Sequence, residues 1–186
     1  MGRTIGRILK ASRKGMRGLR RDERGVTAVE FGIVALPFLM FLFGIINVGL
    51  LYFTTFTIEN ATEGAARGIR TGQGKAWTKD DFKTQVCNRV PSFVNCASKV
   101  RVDVQIVADG ADPTAASGTS TSGGVTTMKT DAQMSYPGAI SGGQIVMVTT
   151  FYQWDLAKAL PFLKFQGLSD GSKLIRATVA FKNEPY

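Results

Sequence analysis

The segment Gly25-Val-Thr-Ala-Val-Glu-Phe31 opens a long apolar run that continues to Ile58. Residues 31–58 contain no Lys, Arg, Asp or Glu. As a helix with a rise of about 1.5 Å per residue, this run would be roughly 42 Å long, which exceeds a hydrocarbon core of about 30 Å. The run therefore predicts a helix that spans a membrane and protrudes from one side of it.

Positive charge is concentrated ahead of this run, in a leader of residues 1–25. The leader holds nine Lys or Arg and two acids, a net charge of +7, whereas the whole chain carries +9. By the positive-inside rule, the leader stays in the cytoplasm and the residues after the apolar run lie across the membrane. Most of the net positive charge of the chain therefore lies in the leader, and it gives little support to a nucleic-acid-binding surface.

The pattern predicts three parts: the leader, a long helix over 26–71 and an extracytoplasmic domain over 72–186. The helix should continue past the membrane to about Arg70, because good helix formers follow the apolar run and Gly72-Gln-Gly74 then stops it. A cleaved secretory signal fits poorly, since its apolar core is usually only about 7–15 residues long.

The extracytoplasmic part has the pattern of an α+β domain with a short helix and a three-stranded antiparallel sheet. Thr78 can cap the short helix, which should end before Pro91. Residues 108–143 are rich in Gly, Ser, Thr, Ala and Asp, which predicts a long flexible loop. Three segments have the alternation or the β-branched and aromatic content of strands: Val100–Val107, Gln144–Trp154 and Lys173–Asn183.

The chain has two cysteines, Cys87 and Cys96, and no histidine. Both cysteines fall on the far side of the membrane, where an oxidising compartment would favour a short disulfide loop between them. Two reduced thiols are the alternative. Because there is no His, most metal sites and all His-based triads are excluded, and neither a metal ligand set nor a cofactor is expected.

Two residues interrupt the apolar helix. Pro37 removes a backbone donor and is expected to kink the helix near its start. Asn47 is a strongly polar side chain deep in the run. It would hydrogen-bond either a neighbouring helix or its own helix, and the sequence does not decide between the two.

Four motifs stand at fixed offsets along this helix: Arg24–Phe31, Ala35-Leu36-Pro37, Phe43-Gly44 and Glu59–Arg67. Together they resemble the TadE-like family, the pilin-like minor proteins of the tight-adherence (Tad, Flp-type) pilus system. The resemblance implies that a prepilin peptidase cuts between Gly25 and Val26, which leaves Glu30 at the fifth position of the mature chain. It also implies that Glu30 and Phe31 serve recognition and assembly.

Elementary chemistry gives a reason for the residue types at Gly25 and Glu30. A residue without Cβ at Gly25 lets the catalytic groups of a peptidase approach the scissile carbonyl. Glu30 is placed to pair with the new amine of Val26 on a neighbouring subunit, which would set stagger and subunit choice. The alternative for Glu30 is an interfacial acid that the helix dipole stabilises.

The sequence therefore predicts a non-enzymatic pilin-like minor subunit for assembly of the Tad adhesive pilus. Its expected location is the bacterial inner membrane, as a single-pass protein with a cytoplasmic N-terminus and a periplasmic domain, with incorporation into a surface pilus left open. The expected partners are the membrane, the prepilin peptidase, other pilin-like subunits and the Tad inner-membrane assembly proteins. No nucleic acid or small-molecule substrate is expected.

Two alternatives of other kinds stay open: an uncleaved, signal-anchored envelope binding module, and a pseudopilin of a secretion system. An enzyme is disfavoured, because no catalytic residue can be assigned. Asp80 and Asp81, and Asp103 with Asp109 and Asp112, are interpreted as cap and loop acids, since their spacing does not fit an EF-hand loop.

Overall fold

The computed structural model describes residues 25–107, 118–159 and 167–185, so the leader lies outside the described residues except for Gly25. The chain divides into two compact units, one up to Ile45 and one from Ile46 onward. The first unit contributes the beginning of a long helix, and the second contains the rest of that helix together with all other described elements.

The long helix α1 spans Val26–Arg70, and its predicted end near Arg70 is confirmed. The amide of Gly74 donates to the carbonyl of Gly68 at 2.8 Å, which satisfies a carbonyl left open at the helix end. Gly72 adopts a φ of 77°, a left-handed conformation that glycine reaches without a steric cost.

The predicted α+β class and the three-stranded antiparallel sheet are confirmed. The strands are numbered in chain order, and this sheet has the order β1-β4-β5 with both pairings antiparallel. The central strand pairs Thr150 with Val102 on one side and with Ala177 on the other. The strands are β1 at Val100–Val107, β4 at Ile145–Trp154 and β5 at Lys173–Lys182.

The prediction of an uninterrupted loop over 108–143 is wrong for its middle part, which forms a second, two-stranded sheet. Strands β2 (Thr119–Ser122) and β3 (Val125–Met128) form an antiparallel hairpin. Gly123 and Gly124 have φ values of 57° and 79°, as the two central residues of a tight hairpin turn require. Compositional bias toward small residues concealed this turn signal. Residues 108–117 of the predicted loop lie outside the described residues.

Two short helices precede the sheet. Helix α2 spans Lys79–Cys87 and begins with a capping box in which Thr78 and Asp81 bond each other's backbone amides. Helix α3 spans Cys96–Lys99. The predicted disulfide joins Cys87 to Cys96, with their Cα atoms 5.5 Å apart, and so closes the loop between the two helices.

The main core lies within the second unit, where the later part of α1, helix α2 and one face of the sheet bury their apolar side chains together. The α1 residues that contribute recur at helical spacing, as Ile58, Ala61, Ala65 and Ile69. Their partners include Phe82 and Val86 of α2 and Val102, Val104, Val148 and Trp154 of the sheet. Each large side chain buried in this way stabilises the fold by about 1.5–3 kcal/mol.

A smaller apolar cluster covers the other face of the sheet. Met134, Met147 and Phe151 are buried there, and Met128 of the hairpin packs against them. Gly118, just before the hairpin, is also buried. A Cβ added at Gly118 would stand 2.2 Å from the Phe151 ring, so the glycine is required for this close approach.

We expect Gly118→Ala to lower the free energy of unfolding by about 1–3 kcal/mol, because the Phe151 ring or the Gly118 backbone must shift. Gly138→Ala is the matched control, since a Cβ at Gly138 meets nothing within 4 Å, and it should change stability by less than about 1 kcal/mol. Thermal unfolding of the detergent-solubilised protein measures both. Equal midpoints for the two variants would contradict the proposed packing.

Candidate processing and assembly segment

The predicted cleavage site lies at the start of α1. Gly25 directly precedes the helix, Val26 is its first residue, and both are exposed. A Cβ at Gly25 would meet nothing within 4 Å. Packing among the described residues therefore does not require a glycine at position 25.

Glu30 and Phe31 lie about one turn further along and are also exposed, with 74% of the Phe31 surface accessible. Glu30 is the fifth residue of α1, and the first turn of the helix contains no acid. The helix dipole, whose effect falls off within that turn, gives this carboxylate little stabilisation. Glu30 forms no hydrogen bond or ion pair with any residue in the described ranges.

Val26 and Glu30 are four residues apart and therefore share one face of the helix. None of residues 26–45 is buried within the chain, and most of them are large apolar side chains. A helix that is apolar on every side needs apolar surroundings, and the described residues do not supply them. Within the described ranges, α1 is the one helix long and apolar enough to cross a membrane, with a mean hydropathy of 2.4 over its best window.

A family model described as TadE-like protein matches residues 25–67. The segment is TadE-like. The match begins at Gly25 and covers nearly all of α1, so it confirms the resemblance inferred from the sequence motifs. It supports, in general terms, a pilin-like protein associated with the Tad pilus. No curated protein and no solved structure matches the chain.

Asn47 lies within the TadE-like segment and is nearly fully buried. Its amide nitrogen donates to the carbonyl oxygen of Leu156 at 3.4 Å, in the 3-10 helix Asp155–Ala159 that follows β4. This partner is not a carbonyl of α1, which was one of the two possibilities that the sequence left open. The side-chain oxygen of Asn47 has no hydrogen-bond partner among the described residues.

The loop that receives Asn47 is held by a cluster of ion pairs that the sequence analysis did not identify. Asp155 pairs with both Lys99 and Lys158, and Lys158 also contacts Asp170 at 2.8 Å. The Asp155–Lys158 spacing of three residues was the available sequence signal. The contributions of Lys99 and Asp170 depend on long-range contacts and carry no such signal.

The geometry of this cluster shifts the pKa values of its members. The Lys158 ammonium and the Ser172 hydroxyl hold the pKa of Asp170 well below its ordinary value, and the backbone amide of Ser172 contributes. Hydrogen bonding to Asp170 and then to Asp155 raises the pKa of Lys158. The ion pairs therefore persist over a wide pH range.

Two of the other acids considered in the sequence, Asp103 and Asp81, form hydrogen bonds that hold the local structure. Asp103 is buried and accepts hydrogen bonds from the backbone amide of Ser135 at 2.5 Å and from Gln105. Asp81 belongs to the capping box of α2. Asp109 and Asp112 lie outside the described residues. Within the described ranges, no group of three or more His, Cys, Asp or Glu side chains could hold a metal ion.

We expect Asp170→Asn to lower Tm at pH 7, because it removes the carboxylate that pairs with Lys158. A depressed folded-state pKa stabilises the protein above the unfolded value of about 3.9, and this stabilisation is lost as the pH falls toward the folded value. The Tm difference between wild type and variant should therefore shrink from pH 7 to pH 3. Glu63→Gln is the control, since Glu63 is exposed and forms no ion pair with any described residue. A difference that stays constant with pH would contradict the assignment.

Proposed function

We propose that this protein is a membrane-anchored, pilin-like minor subunit in assembly of the Tad adhesive pilus, and that it acts without catalysis of its own. A prepilin peptidase cleaves it between Gly25 and Val26. One observation carries the proposal: the TadE-like match starts at Gly25, where an exposed apolar helix begins. The remaining steps follow from the chemistry of this helix start.

Cleavage at this position would change the charge at the start of α1 and would leave the buried core of the domain unchanged. It removes the leader, with its net charge of +7, and leaves a positive amine at Val26. The first four amides of a helix have no acceptor within the helix, so a cut before Val26 leaves the internal hydrogen bonds of α1 intact. All buried residues of α1 lie at Asn47 or beyond, so the core of the domain keeps every contact.

The new amine gives Glu30 a partner during assembly. In the membrane, the carboxylate can stay at the interface, where water reaches it. When subunits pack, a carboxylate moved into a dry helical core costs several kcal/mol unless it is paired. The Val26 amine of a neighbouring subunit is the nearest opposite charge that processing creates, and this pair would fix the stagger between subunits.

The proposed location is the inner membrane, with the leader in the cytoplasm and the residues after the anchor in the periplasm. The charge of the leader favours this orientation through the positive-inside rule. The Cys87–Cys96 disulfide fits the oxidising periplasm. The proposed partners are the prepilin peptidase, other pilin-like subunits and the Tad assembly proteins of the inner membrane.

We expect Gly25→Phe to leave only the full-length protein, because a bulky side chain blocks approach to the carbonyl of residue 25. N-terminal sequencing of membrane and sheared-pilus fractions provides the measurement, and the wild-type protein should begin at Val26. Gly49→Ala is the control and should be processed like the wild type. An uncleaved wild-type protein in cells that contain the peptidase would instead favour the signal-anchored binding module.

We expect Glu30→Gln to insert and to be cleaved normally, because neither step uses the ion pair. The variant should lose co-purification with other pilus subunits and should lose surface fibres, since the substitution keeps the size of the side chain and removes its charge. Glu59→Gln, at an exposed acid further along α1, is the matched control and should assemble normally. If Glu30→Gln assembles as well as the wild type, the proposed role of the charge is refuted.

A further inference from the structure

Two loops of the second unit expose apolar side chains next to α1. Phe93 lies in the short 3-10 helix Ser92–Val94 and is 62% exposed, and Leu156, in the 3-10 helix Asp155–Ala159, is 47% exposed. We call these two loops, residues 91–95 and 155–158, the base loops. Each base loop therefore presents a large apolar side chain to the surroundings.

The exposure of these side chains is built into the fold. In each base loop, the residue that follows the exposed one is buried, Val94 after Phe93 and Ala157 after Leu156. The first loop is further fastened by the disulfide at Cys96. Because their neighbours are fixed in the core, Phe93 and Leu156 cannot turn inward without disrupting it.

The base loops lie beside a short stretch of α1. The Leu156 carbonyl accepts a hydrogen bond from Asn47, and the Phe93 ring stacks on Phe53 with centroids 6.1 Å apart. Between the two loops lies an open cleft of about 700 Å³ that Leu50 helps to line. Leu50 and Phe53 are themselves exposed, so the loops enlarge an apolar surface that α1 already carries.

The length of the apolar run places this stretch at a membrane surface. Residues 31–50 follow Glu30 and contain no charged side chain. Twenty helical residues rise about 30 Å, which is the thickness of the hydrocarbon core. If the core begins at Phe31, the helix leaves it near Leu50. Asn47 and Phe53 are each three residues, or about 4.5 Å, from that point, within the interfacial layer.

Charge around the cleft does not oppose this placement. Lys99 and Lys158 lie at its edge and are paired with Asp155 and Asp170, so the group carries no net charge. Fully paired ions need no additional counterion, so apolar contact rather than attraction to lipid charge would hold the surface.

We propose that the base loops insert Phe93 and Leu156 into the interfacial layer of the membrane, so that the domain rests on the lipid. This inference depends on the proposed membrane anchor and adds a second point of contact to it. A second copy of the chain is the competing occupant. The lipid surface is favoured because the exposed side chains continue the apolar surface of α1 at the level where that helix leaves the hydrocarbon core.

Single-cysteine labelling of the full-length protein in nanodiscs tests the proposal. The native cysteines are joined in the disulfide, so an environment-sensitive fluorophore reacts only with a cysteine introduced by Phe93→Cys or Leu156→Cys. Phosphatidylcholine carrying nitroxide groups near the headgroup serves as the quencher for the probes at 93, 156 and 182, and phosphatidylcholine with nitroxide groups on the acyl chain serves for the probe at 38. Phe38→Cys reports on the anchor. Lys182→Cys is the distant control. Two residues further on, the backbone amide of Glu184 donates to the carbonyl of Arg70, which lies twenty residues beyond Leu50.

We expect the probes at 93 and 156 to lose at least half of their fluorescence to the nitroxide lipids, and the probe at 182 to lose almost none. Quenching at 38 without quenching at 93 and 156 would overturn the docking surface and leave the anchor intact. No quenching at 38 would instead refute the anchor, and with it this inference. A third outcome would assign the surface to a second copy of the chain. In that case the probes at 93 and 156 would be quenched no more than the probe at 182, and they would become more shielded as the number of protein copies per nanodisc rises.

Discussion

The packing of α1 against the sheet is the contact on which the rest of the structure depends. Beyond Asn47, one face of this helix supplies a wall of the core, and Ala61, Ala65 and Ala66 keep that wall thin. The buried valines of the sheet belong to the same apolar cluster. The same helix also includes residues 26–45, none of which is buried among the described residues.

Along α1, the candidate cleavage site is well separated from the core. The candidate cleavage site lies at the first residue of α1, whereas the first buried residue is Asn47, twenty-one positions later. The proposed removal of the leader would change the charge at the start of the helix, and no buried residue of α1 lies near the proposed cut. The chemistry proposed for Glu30 likewise concerns a surface of the helix that the domain does not use.

Polar and covalent links hold the two base loops in place. The Cys87–Cys96 disulfide closes one base loop, and the ion pairs of Asp155 with Lys99 and Lys158 hold the other. Asn47 joins the second loop to α1 through the Leu156 carbonyl. These links have a common effect, because they keep Phe93 and Leu156 exposed at a defined level of the helix.

The sequence by itself determined the features that are local or periodic. The uncharged run determined α1, and Gly72 determined its end. Thr78 and Asp81 determined the cap of α2, and the alternation of Val100–Val107 determined a strand. Each of these features depends on neighbouring residues. Only the tertiary structure decided the partner of Asn47, 109 positions away, and the group around Asp155 and Asp170. It also placed Phe93 against Phe53. Such contacts join residues far apart in the chain, where composition and spacing carry no information about distance. The Gly123-Gly124 turn is the intermediate case, a local signal that the surrounding small and polar residues concealed.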